Sequence, residues 1–253
     1  MRRNNIYIAT KMKLIPTLLI TIFALNLHAQ QNLFNIPSGD ITPKAKIFIQ
    51  QQINLYSINR LESKSHFVYG YGKRSEVGLN FVNLPIRFNN ESRFTSIQDN
   101  RSNLPLYPAL LLTWQHKLIN KSKFNINIGT QTGINITNKF NNIRLMYMHY
   151  AISAFQIGKL GRIIAGPYFI NKYMAGKSSF GLITGYELHI TKKFYLMGDY
   201  KSGNHAQSAT VLGAMYSISR RIQICSGYLI PFKHQGTKSA IVLELNILGF
   251  DAF

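Results

Sequence analysis

Residues 237–253 read TKSAIVLELNILGFDAF, and their period decides the fold. The odd positions Ile241, Leu243, Leu245 and Ile247 form an apolar stripe. The even positions carry Glu244 and Asn246 beside Ala240, Val242 and Leu248. Apolar side chains recurring at every second residue belong to a strand, because successive side chains of an extended chain point to opposite faces. Asp251 breaks the stripe two residues before Phe253. Residues 241–247 are therefore the part expected against an apolar environment.

The same alternation recurs upstream. Segments 44–58, 64–72, 75–88, 104–118, 121–136, 142–157, 162–173, 177–190, 193–201, 206–218 and 221–232 precede the last one, which makes twelve strands. The clearest is 121–136, with Phe124, Ile126, Ile128, Ile134 and Ile136 opposite Asn125, Asn127, Gly129, Gln131, Gly133 and Asn135. Soluble strands usually run about 5–6 residues, whereas a tilted strand needs about 9–11 to cross a bilayer. The even-numbered connections are short, at 72–74, 119–120, 158–161, 191–192 and 219–220. The odd-numbered ones are generally longer and more polar, and 89–103 is the longest. An even strand count with short turns at one end and longer loops at the other is the membrane-barrel pattern. A soluble β-sandwich also spaces its strands evenly, and is the alternative. The expected fold is all-β: a transmembrane antiparallel up-and-down β-barrel of about twelve strands (ten or fourteen are the neighbouring counts), with short periplasmic turns.

Composition agrees. The chain is 46% hydrophobic and 15% charged, against about 25% charged in an ordinary soluble domain. Its net charge of +20 asks for an anionic partner, which could be a membrane surface, an acidic solute or nucleic acid. Nucleic acid is not expected, since the basic residues do not share one face and no aromatic stacking motif stands among them. The single cysteine, Cys225, excludes an intramolecular disulfide. At the N-terminus Arg2, Arg3, Lys11 and Lys13 precede an apolar run over 14–25. That run is the length of a signal-peptide core and short for a membrane-spanning helix. Residues 1–30 are read as a signal peptide cut near Ala29, with an uncleaved anchor as the alternative. Residues 31–43, which hold Pro37, Gly39 and Pro43, are read as an irregular periplasmic lead-in, and 44–253 as the barrel.

Two marks carry a family resemblance. The tail His28-Ala29-Gln30-Gln31 resembles signal peptides of the Bacteroidota, and a final strand closing on Phe253 resembles the C-terminal signature of small outer-membrane barrel proteins of Gram-negative bacteria. The resemblance covers residues 31–253 as architecture. It implies an outer-membrane location, contact with outer-membrane lipids, and insertion by the barrel-assembly machinery, which would read Phe253. It carries over no functional residues.

A carboxylate on a lipid-facing surface is costly, so strand acids are expected to point inward. The lumen-lining candidates are Gln50, Gln52, Asn54, Glu76, Asn125, Asn127, Gln131, Arg144, Glu187, His189, Asp199, Lys201, Glu244 and Asn246. They would fill the lumen with ion pairs and amide hydrogen bonds, or form a constriction whose excess of cations favours anions. The histidines make no HxH, HxxxH or HExxH spacing, so neither a metal nor a cofactor is expected. His149 and Ser153 share a strand face, but no nucleophile elbow or acid in register accompanies them. Tyr69, Tyr71, Tyr168, Tyr173, Tyr195 and Phe232 near strand ends suggest interfacial girdles. The expected function is a narrow channel or transporter for small, anionic solutes. A non-conducting structural or assembly component of the envelope is the alternative, and a lipid-modifying enzyme comes third.

Overall fold

An extended chain presents N–H and C=O groups sideways, and each needs a partner on a neighbouring strand. The computed structural model describes residues 32–88, 96–232 and 238–251, and there the strands satisfy one another in a closed ring. In chain order they are β1 (Lys46–Ser57), β2 (Arg60–Gly70), β3 (Ser75–Arg87), β4 (Ala109–Lys121), β5 (Phe124–Asn135) and β6 (Leu145–Gln156). Then follow β7 (Gly161–Ile170), β8 (Ser179–His189), β9 (Phe194–Lys201), β10 (Ala209–Ser217), β11 (Ile222–Pro231) and β12 (Ala240–Asp251). Each pairs antiparallel with the next, and β12 pairs with β1, so no strand edge is left open. The twelve expected strands are all present. The described helical structure is limited to α1 (Lys172–Ala175) and a 3-10 turn at Phe140–Asn142.

Short turns at 71–74, 122–123, 157–160, 190–193 and 218–221 gather at one end of the barrel. The longer connections gather at the other, with one exception: β1 and β2 are joined by Ile58 and Asn59 alone. Strand β2 therefore starts before position 64, and Glu62 lies within it instead of in a loop. Strand β4 starts five residues later than the alternation suggests. Pro105 and Pro108 explain this, since neither can donate to a ladder.

Alternation sorts the faces as expected. Ile49, Leu79, Leu112, Phe155, Leu182, Leu212, Ile224, Leu243 and Leu245 are exposed on the outside. The inside is a core of Met148, Ile152, Ile164, Ile183, Met197, Val211 and Met215, mixed with buried polar residues. At the short-turn end Trp114 Nε1 donates to Tyr71 Oη at 2.9 Å, and at the loop end Tyr200 packs edge-on against Phe232, so Tyr71 and Phe232 lie near strand ends beside other aromatics. Tyr168 and Tyr195 do not belong to them. Both point inward and are buried, because their positions share parity with the lumen side of their strands.

A break in register re-aims one side chain. The β2–β3 pairing slips between Ser63 and Ser65, opposite Asn83, whose φ is 57°. Asparagine tolerates this left-handed backbone, and the bulge turns Asn83 into the interior.

Candidate functional site

Residues 32–42 are irregular, as expected of a lead-in, but they lie inside the barrel and not beside it. Their sequence supplies the reason: Leu33, Phe34 and Ile36 are large apolar side chains on a segment with no sheet to cover them. All three are buried in the interior core, at 0%, 2% and 1% exposure. A tight turn, closed by Leu33 N–H donating to the Ile36 carbonyl at 3.0 Å, forms the tip. The wall makes room for it with small residues. A methyl group built on Gly185 would sit 2.4 Å from Leu33 Cδ1 and 2.9 Å from Ile36 Cδ1, and one on Gly227 would sit 2.9 Å from Phe34 Cζ. The segment leaves at the short-turn end, where Ala45 N–H donates to the Gly70 carbonyl at 2.7 Å before β1 begins.

Polar wall residues seat this plug along its length. At the short-turn end, Thr42 donates to Glu76 Oε2 through both its N–H (2.6 Å) and its hydroxyl (2.9 Å). Arg162 clamps two carboxylates: Asp40 of the plug, in a short contact, and Glu187 of the wall at 3.0 Å. His189 Nε2 lies 3.1 Å from the other Glu187 oxygen. Gln115 donates to the Asp40 carbonyl at 2.9 Å and Asn127 to the Gly39 carbonyl at 2.7 Å. Deeper in, Asn35 N–H donates to Asp199 Oδ2 at 2.5 Å, Lys64 Nζ donates to Asn35 Oδ1 at 3.0 Å, and Asn32 donates to Gln50 Oε1 at 3.0 Å. Gln52, with its amide turned so that nitrogen donates, reaches the Phe34 carbonyl at 2.9 Å and Glu244 Oε1 at 3.1 Å.

Most of the lumen-lining candidates are therefore in the lumen, and five of them, Gln50, Gln52, Glu76, Asn127 and Asp199, hydrogen-bond the plug. Gln50, Gln52, Asn54, Glu76, Asn125, Asn127, Glu187, Asp199, Lys201, Glu244 and Asn246 are buried there, and Gln131 lines the cavity beside the plug. Arg144 is the exception. It precedes β6 in a loop, and its guanidinium turns back onto the Ile143 carbonyl. Its place in the alternation is the right one for the lumen, but the strand has not yet begun. His149 and Ser153 face outward on β6, and four residues of strand separate them by about 13 Å. His149 Nδ1 instead meets Thr130 Oγ1 at 2.9 Å. Residues 1–30, with the expected cut at Ala29, and Phe253 lie outside the described residues. Asp40, Lys64, Gln115 and Arg162 complete the seat but were not among the candidates. Arg162 has lumen parity and was legible in principle, whereas Asp40 sits in a segment with no period.

At the loop end the plug is the floor of a vestibule of about 210 Å3. Arg60, Lys64, Lys201 and Lys238 line it together with one acid, Glu62. A second, narrow cavity of about 60 Å3 continues down beside the plug. The loop of residues 202–208 closes over one side. His205 is fully buried there, its Nε2 2.5 Å from Tyr168 Oη, and its Nδ1 accepts from Gln207 N–H at 3.2 Å. Burial, with Lys201 adding to it, pushes the imidazole down to about 4, so it is neutral at pH 7. In the loops before β4 and β6, the Thr137 hydroxyl, 2.5 Å from Asp99, holds that half-buried carboxyl below its usual range.

No protein-family model matches the chain, and no curated protein matches it. Among solved structures it is similar to the COG4313 outer membrane channel from Pseudomonas putida F1, with a TM-score of 0.50. The identity is 12%, over 84% of this chain and 98% of that one. The outer membrane protein Omp33 of Acinetobacter baumannii aligns at 9% identity and a TM-score of 0.45, over 81% of this chain and 98% of that one. The first likeness shows that the barrel fold is shared with an outer-membrane protein.

Proposed function

We propose that this protein is an outer-membrane channel for small anionic solutes, held closed by its own segment 32–42. The membrane reading rests on the outer wall. Leucine, isoleucine and phenylalanine side chains are exposed on it all the way round the barrel. Soluble monomers rarely expose an apolar patch beyond a few hundred Å2. Lipid is the solvent that suits such a belt, with the polar residues turned inward.

The channel reading rests on one observation: the lumen is filled in part by a separate segment, Leu33, Phe34 and Ile36 packing among the wall's own side chains. A small barrel can be closed by its own inward side chains. Here Gly185, Gly213 and Gly227 leave space that Leu33, Ile36 and Phe34 occupy. Displacing the segment opens a route from the cationic vestibule to the short-turn end. The excess of Lys and Arg over Glu in that vestibule favours anions. Signal cleavage near Ala29 and insertion by the barrel-assembly machinery belong to the same reading, with the short turns in the periplasm. The HAQQ tail supports a Bacteroidota-type export route.

The buried Arg162 clamp supports the second reading, a permanently plugged envelope component. Planar-bilayer recording of the purified protein separates the two. The channel reading expects intermittent current and, across a salt gradient, a reversal potential displaced toward that of the anion. Absence of ion current from the wild type and from clamp-free variants alike sinks it.

A further inference from the structure

Lys64 and Lys201 are lumen ammoniums that border both cavities, yet among the described residues neither has a carboxylate within 4.0 Å. Lys201 is only 6% exposed, and its hydrogen-bond partner is a neutral amide, Gln207 Oε1 at 3.3 Å. Lys64 is held by another neutral oxygen, Asn35 Oδ1 of the plug. Taking an ammonium out of water without a counter-ion costs several kcal/mol, unless a charged partner or ordered solvent compensates. The nearest acids act on these ammoniums only from beyond ion-pair distance: Asp199 accepts from the Asn35 backbone and Glu244 from Gln52, each through one oxygen, and Asp199 partly offsets both positive charges. An amide donor faces the same space: Asn83, turned inward by its bulge. Gln207, from the 202–208 loop, turns its oxygen to Lys201 and donates to the Met174 carbonyl at 2.9 Å.

We propose that Lys64 and Lys201 form a binding site for a small oxyanion, a phosphate or a dicarboxylate, seated on the loop side of the plug with Asn83 as a neutral donor. Two ammoniums and an amide match an anion with several oxygens at more than one edge. The site also reaches the plug. An anion that recruits the Lys64 ammonium takes it from Asn35 and so removes one of the plug's wall contacts. This deepens the channel reading, on which it rests for its physiological meaning, by naming the solute class and the place where the solute is first held.

The test is calorimetric titration of the detergent-solubilised protein with inorganic phosphate and, separately, with succinate, at pH 7 and low ionic strength. The wild type is expected to show saturable binding of at least one anion. Lys201→Gln and Lys64→Gln each weaken it at least tenfold, while Lys159→Gln in a short turn does not change it. Both replacements remove the charge while keeping a polar side chain with part of the aliphatic stem, and heat-modifiable migration on gels confirms that each barrel is folded. No saturable binding of either anion, or binding indifferent to both substitutions, overturns the site. Conductance on the same preparations keeps the two questions apart. Current without anion binding removes the site and leaves the channel, whereas binding without current removes the channel and leaves the site.

Discussion

Single residues decide whether the plug stays seated, and Arg162 matters most. Its guanidinium neutralises one acid of the plug and one of the wall, all three buried or nearly so. Removing one partner of a buried ion pair costs about 3–5 kcal/mol, because the charge left behind has no water. Arg162→Gln is expected to lower stability in urea by that order, and Asp40→Asn by less, since Glu187 keeps its cation. A second residue acts at the other end. Network geometry places the His205 proton on Nε2, where it can donate to Tyr168, while Nδ1 accepts from Gln207. Protonating Nδ1 sets two N–H groups against each other. The folded imidazole titrates near 4, below an ordinary histidine at about 6.5. Its contribution to stability is therefore complete above about pH 6.5 and is lost as pH falls toward 4. Hydrogen exchange in residues 202–208 should speed up over that window, and His205→Phe should remove the dependence.

At the scale of elements, the strands were legible and the plug was not. Period two is imposed by the environment itself: each of β1–β12 has one side toward the interior and one toward the outside, and residues such as Gln50, Asn127 and Glu244 follow from parity alone. Boundaries failed where local chemistry overrides parity, as at Pro105 and Pro108 before β4 and at Arg144 before β6. Residues 32–42 have no period, because their partners are side chains of seven different strands and not a neighbouring ladder. The only hint was composition: Leu33, Phe34 and Ile36 are large apolar residues in a segment rich in Asn, Pro, Ser and Gly. Gly185→Leu tests the plug without touching its ion pairs. The new side chain needs the space of Leu33 and Ile36, so it should expel the tip and raise the protease sensitivity of residues 32–42. Phe34→Ala should instead leave a void and cost about 3–5 kcal/mol.

The whole molecule couples three layers. An outer apolar belt suits lipid, a closed ladder of strands leaves no backbone group unpaired at an edge, and a polar lumen is occupied by the chain's own N-terminal segment. The belt predicts a requirement for detergent and heat-modifiable migration, and a monodisperse protein in plain buffer would contradict it. The lumen makes the more specific demand. Single-channel conductance of wild type and Arg162→Gln, each verified as a folded barrel, tests it most directly. A wild type that is closed most of the time and a variant with frequent, anion-selective openings is the predicted result. Equal silence from both, or equal conductance in both, contradicts a lumen gated by residues 32–42.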